Sequence, residues 1–166
     1  MMRLIHHYSY GECGIYSPQS VDQPARPAYR AGIANQRKFA MQLGYTILYV
    51  PDVPATLKFY EAAFGLTTRF LHEGGDYGEL ETGSTVLAFS AHKLMQELGK
   101  NPQAASPTAP CFEIALCTPD VAAALERAVA AGATPMRALE VMPWGQTIAY
   151  VADINGFLVE LCTPVA

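Results

Sequence analysis

The stretch Leu43–Gly65, LGYTILYVPDVPATLKFYEAAFG, reads as a strand, a sharp turn and an amphipathic helix. The chain does something similar a second time in Cys111–Ala133, CFEIALCTPDVAAALERAVAAGA. Each copy has an alternating apolar run, then Pro-Asp-Val, then a helix that stops at glycine. The separation of Asp52 and Asp120 exceeds the roughly 20–50-residue period of a solenoid repeat, so the pattern is a duplicated module.

In the first copy Thr46, Leu48 and Val50 point to one face of a strand, and Tyr45, Ile47 and Tyr49 to the other. Pro51 and Asp52 end it, with the Asp52 carboxylate placed to cap the helix that follows. That helix carries Val53, Leu57, Tyr60 and Phe64 on one stripe and ends at Gly65, which can take the left-handed conformation. Strands are then expected over Thr67–Glu73, Tyr77–Thr82 and Thr85–Ser90, separated by Gly74-Gly75 and Gly83-Ser84. His92–Leu98 reads as a short helical turn, and the following linker holds Pro102, Pro107 and Pro110. The second copy repeats the order. It has a strand at Cys111–Cys117, a helix at Asp120–Ala131 and strands near Thr134–Glu140, Gln146–Val151 and Phe157–Cys162, the last after an Asn155-Gly156 turn.

The expected fold class is therefore α+β, with two βαβββ modules. The first covers 43–90 and the second 111–166, joined by a linker at 91–110, all within a domain at 41–166. Residues 1–40 are different. They show no sustained period and are rich in Pro, Gln, Ser and Arg in the middle. They are a loosely attached extension, an arm on a partner subunit, or a product of start-codon choice, since Met41 stands just before the first clear strand. The adjacent His6 and His7 lack the further ligands a metal site needs.

Composition narrows the function. Half of the 166 residues are hydrophobic and 16% are charged, enough for a buried core. A formal charge of −4 argues against nucleic acid as a partner, and no apolar run approaches the roughly 20 residues that span a bilayer. Cys13, Cys111, Cys117 and Cys162 form no CxxC pair, and their spacing suggests neither a zinc site nor a disulfide framework. With no signal peptide pattern at the amino end, the expected location is cytoplasmic.

Tandem βαβββ modules bearing YVPDVPATLKFYEAAFGL (Tyr49–Leu66), CTPDV (Cys117–Val121) and DINGFLVEL (Asp153–Leu161) resemble the vicinal oxygen chelate superfamily. This is the group of glyoxalases, bleomycin-resistance proteins and extradiol dioxygenases. The resemblance covers Met41–Ala166 and implies curved sheets that enclose a cup for a small organic ligand, usually in a homodimer. In metal-dependent members the ligands lie on the first and fourth strands of each module. Transferred here, those positions are Tyr45 and Ala88, then Glu113 and Glu160. The two glutamates suit a divalent ion (Mn, Ni, Zn or Mg), whereas Ala88 cannot bind one and Tyr45 seldom would. The resemblance thus implies a binding protein that needs no metal, or alternatively a lyase, isomerase or dioxygenase that uses Glu113 and Glu160 as metal ligands and catalytic groups.

Strand alternation reaches a similar place from the residues alone. Phe112, Ile114 and Leu116 form an apolar face expected to meet the helix, which leaves Cys111, Glu113, Ala115 and Cys117 on the opposite face, with Cys117 expected to line the ligand pocket. Phe157, Val159 and Leu161 likewise leave Leu158, Glu160 and Cys162, and Leu87 and Phe89 leave Val86, Ala88 and Ser90 for the cup. Two acids on mostly apolar strands need a partner, a proton or water. If their strands pair, the carboxylates repel, and either a cation relieves them or one holds a proton. A wet face, or pairing of one acid with Arg137, would equally explain them. Trp144, in MPWGQT, either stacks on a flat ligand or caps the core. Tyr45 and Tyr49 offer phenols to the cup or pack as core residues. His72 and His92 read as satisfied surface residues. Turn and cap chemistry accounts for Asp52, Asp120 and Asp153.

Overall fold

The computed structural model describes residues 41–165. The expectations for residues 1–40, with His6, His7 and Cys13, fall outside these residues. The first module runs β1 (Tyr45–Val50), α1 (Val53–Phe64), β2 (Thr67–Leu71), β3 (Tyr77–Glu81) and β4 (Val86–Ala91). A short helix α2 (His92–Glu97) leads into the linker. The second module runs β5 (Ile114–Cys117), α3 (Val121–Ala130), β6 (Thr134–Val141), β7 (Thr147–Ala152) and β8 (Leu158–Cys162). Each module folds into a four-stranded mixed sheet, ordered β1-β4-β3-β2 and β5-β8-β7-β6. The helical crossover makes β1 parallel to β4 and β5 parallel to β8, while hairpins make the remaining pairs antiparallel. Among the described residues no helix is long and apolar enough to cross a membrane.

The two turn aspartates are helix caps. Asp52 accepts a hydrogen bond from the Ala55 N–H at 2.8 Å and Asp120 from the Ala123 N–H at 3.0 Å, each satisfying a donor that the first turn leaves open. Gly65 closes α1 at φ 69°, a conformation that favours glycine. Alternation then sorts the strands. Leu48, Val50, Leu80, Leu87, Phe89, Ala149, Val151, Val159 and Leu161 face the helices and join Val53, Leu57, Tyr60, Val121 and Ala128 in one continuous core. Helix α1 lies so close to β3 that a Cβ on Gly78 would sit 2.7 Å from Leu57 Cδ1 and 3.0 Å from Val53 Cγ1. Any larger residue there would push the Leu57 and Val53 side chains aside.

The expected strand at Cys111–Cys117 begins later, at Ile114. Its partner β8 starts only at Leu158, and the ladder opens with Ile114 opposite Val159, so Cys111 and Phe112 lie beyond the start of β8 and have no strand to pair with. Phe112 therefore does not face the helix as its alternation suggests. It is 42% exposed, and its ring lies 5.9 Å from that of Phe157.

The modules are also pinned together through polar groups. Asp153 is 5% exposed in the β7–β8 turn. Its Oδ1 accepts from the Asn155 and Phe157 N–H groups, both at 2.8 Å, which fixes the turn. Its Oδ2 accepts from the Tyr60 hydroxyl of α1 at 2.9 Å. Asn155 Nδ2 donates to Thr56 Oγ1 at 3.0 Å, a second bond from the same turn to the same helix.

Candidate functional site

Residues opposite one another on paired strands share a face, so the ladders assign the side chains that point away from the helices. In the second sheet one row reads Ala115, Glu160, Tyr150, Arg137 from β5 to β6. Tyr150 is the centre of that row. Its hydroxyl donates to the Glu160 carboxylate, and burial holds the phenol above its ordinary pKa, followed by the negative charges of Glu160 and Glu113. Arg137 pulls the other way, but its guanidinium is ion-paired with Glu140 of its own strand. Glu113 is exposed, precedes β5 and is not directly opposite Glu160. The two acids thus act on a shared phenol rather than forming a face-to-face carboxylate pair.

This arrangement makes a signed prediction. Glu160→Gln removes both a negative neighbour and a charged acceptor, so the Tyr150 pKa should move down towards the ordinary value of about 10. The return should be partial, because burial is the largest cause. Arg137→Ala should move it up. Tyrosine NMR through an alkaline titration, assigned with Tyr150→Phe, reads both shifts. An unchanged phenol in Glu160→Gln would refute the coupling.

The first sheet has the corresponding row Ile47, Ala88, Glu79, Phe70. Ala88 is fully buried there, under its neighbours rather than on an open wall. The acid of this row is Glu79, on the third strand, with Glu81 further along the same face. Glu79 accepts from the Tyr77 hydroxyl at 2.9 Å, and Arg69 Nε lies 3.6 Å from its other oxygen. The β2 ladder slips between Thr68 and Phe70, and that bulge accommodates Arg69 as an extra residue beside Glu79.

Tyr45 is 51% exposed and Ile47 44%, whereas Tyr49 is half-buried. Lys100 Nζ donates to the Tyr49 hydroxyl at 3.1 Å and sits 5.3 Å from the ring centroid. His92 Nε2 lies 3.0 Å from the Tyr49 carbonyl oxygen, and His72 Nδ1 lies 2.7 Å from Asp76 Oδ1. Both imidazoles therefore have partners. Trp144 occupies the turn between β6 and β7, 62% exposed, and its Nε1 donates to Gln146 Oε1 at 3.0 Å.

A cleft of about 320 Å³ opens beside β1, the edge strand of the first sheet. Ile47 and Tyr49 form one side, Gln103 of the linker closes it, and Phe112 and Phe157 bring in the second module. Of the residues expected to bind ligand it contains Tyr49 alone; Tyr45, Ala88, Glu113, Cys117, Trp144 and Glu160 are not among its lining. Alternation assigned Phe112 and Phe157 to the core face; Phe157 does pack against the core, whereas the late start of β5 leaves Phe112 out of it and beside the cleft.

A catalytic divalent ion wants three or more protein ligands with one position open. At the four positions the chain offers Tyr45, Ala88, Glu113 and Glu160, and one of the glutamates accepts from Tyr150. Among the described residues no three His, Cys, Asp or Glu side chains converge on a common point. These residues do not fit a resident catalytic ion.

The family model for the glyoxalase/bleomycin resistance protein/dioxygenase superfamily matches residues 42–161. The chain belongs to that superfamily. Solved structures share its fold. A glyoxalase-related enzyme from Fulvimarina pelagi is 24% identical, with a TM-score of 0.65 over 75% of this chain and 89% of its own. A glyoxalase/bleomycin resistance protein/dioxygenase family enzyme from Burkholderia phytofirmans is 20% identical, with a TM-score of 0.63 over 76% of this chain and 100% of its own. The bleomycin resistance determinant encoded on transposon Tn5 is 24% identical, with a TM-score of 0.53 over 76% of this chain and 100% of its own. No curated protein matches the chain. At these identities the superfamily likeness carries the fold and leaves the reaction open.

Proposed function

We propose that this superfamily member is a small-molecule-binding protein that holds an organic ligand between its two modules. The observation that carries this reading is the aromatic cleft of about 320 Å³ between β1 and the Phe112–Phe157 pair. Its volume is in the range of ligand pockets, about 300–1,000 Å³, and its walls are mostly apolar with an amide at Gln103. Tyr49 supplies a ring and a hydroxyl already polarised by Lys100. Tyr45, Glu113, Glu160 and Trp144 would extend the contact surface for a ligand larger than the cleft. Such binding requires no metal, which suits a donor set reduced to two glutamates.

Two probes test the reading: bleomycin, suggested by the Tn5 relative, and the aromatic anion anilinonaphthalene sulfonate. At least one should bind saturably with one-to-one stoichiometry. Tyr49→Ala should weaken it about tenfold, because losing the ring's contact costs about 1.4 kcal/mol or more. If neither probe saturates, or if Tyr49→Ala binds as well as wild type, the cleft is not the ligand site.

A further inference from the structure

Cys117 of β5 and Cys162 of β8 stand directly opposite each other in the parallel ladder. Alternation puts both thiols on the face away from the helices, since Leu116 and Leu161 pack into the core. The Sγ atoms are 3.9 Å apart. Cys117 is exposed, whereas Cys162 is 2% exposed. This pair lies outside the cleft and is distinct from the Glu113 and Glu160 positions.

The separation discriminates between two kinds of thiol chemistry. A disulfide needs its sulfurs at about 2.0 Å, so these would have to close by about 1.9 Å. A tetrahedral d¹⁰ cation binds thiolate at about 2.3 Å, which spaces two sulfurs about 3.8 Å apart at the ideal angle. The observed separation matches the second requirement as it stands. Softness points the same way, because thiolates select Zn²⁺ and its heavier congener Cd²⁺ over ions that prefer oxygen.

We propose that Cys117 and Cys162 form a two-thiolate site for a thiophilic divalent cation of the Zn²⁺ or Cd²⁺ type. On binding, each thiol gives up its proton to solvent and its sulfur lone pair to the cation, with no change in oxidation state. Among the described residues no third His, Cys, Asp or Glu completes the set, so the remaining positions fall to water or to an exogenous donor. The sequence spacing conceals this pair, because the cysteines are far apart in the chain and only strand pairing makes them neighbours.

Cadmium is the direct probe, because Cd–thiolate bonds give an ultraviolet charge-transfer band that oxygen ligands do not. Reduced full-length protein titrated with Cd²⁺ should develop this band to a one-to-one end point, and Zn²⁺ should suppress it competitively. Cys117→Ser, at an exposed position, should lose the band at cadmium concentrations that saturate wild type while melting normally. Cys162→Ala should also lose it, with folding checked by circular dichroism. Cys111→Ser should retain it. A band that survives in Cys117→Ser, or one abolished by Cys111→Ser, would overturn the proposal, as would no band in the wild type.

Discussion

Asp153→Ala is expected to destabilise the domain by about 3 kcal/mol, lowering the melting temperature by roughly 10 °C. The substitution leaves the buried Tyr60 hydroxyl without its acceptor and strips two backbone donors of theirs in the β7–β8 turn. An unsatisfied buried polar group costs about 1–3 kcal/mol, whereas the turn amides recover part of their loss from water. Burial, then the Asp153 charge, holds the Tyr60 phenol well above its usual range, so it stays a donor at neutral pH. Tyr60→Phe should therefore cost less, about 1–2 kcal/mol, because the turn bonds survive. A double-mutant cycle isolates the tie between helix and turn; additive losses would show that it contributes nothing.

The same residue gives a pH dependence of definite sign. Burial raises the Asp153 pKa despite the hydrogen bonds that lower it. A raised folded pKa means that the native state binds the proton more tightly than the unfolded chain. The corresponding stability is fully present below the unfolded value of about 3.9 and is lost as pH rises through the folded value. Asp153→Asn cannot ionise, so wild type should lose stability relative to it over that window. A pH-independent difference between the two would contradict this account.

The duplicated Pro-Asp-Val signal, the alternation of β1 and the apolar stripe of α1 were sufficient to read two βαβββ modules, because each is a local pattern with one physical meaning. The caps at Asp52 and Asp120 were equally legible, since a cap involves residues three apart. What the chain hid depends on pairing. Glu79 and Tyr150 enter the outward faces through ladder register, which no local period specifies. Tyr150 did carry a weak signal, as the phenol in a strand, Thr147–Ala152, that is otherwise apolar after its first residue. Phe112 misled for the opposite reason. Its alternation is regular, yet β8 offers it no partner, so the strand never reaches it.

That last distinction separates binding from stability in two phenylalanines. Phe89 is fully buried in β4, its ring 4.9 Å from Tyr60, and belongs to the shared core. Phe89→Ala should cost about 3–5 kcal/mol, from lost burial plus the cavity left under α1. Phe112 is 42% exposed and touches the cleft. Phe112→Ala removes apolar surface already wet in the native state, so its effect on melting should be within about 1 kcal/mol. Its effect on saturable probe binding should be about tenfold or more, since a bound ligand would desolvate that ring. Denaturant melts and probe titrations on both variants give the crossed result expected of a core residue and a binding residue. If Phe112→Ala instead unfolds like Phe89→Ala while the residual folded protein binds normally, Phe112 is a structural residue, and the ligand must be held elsewhere on the two sheets.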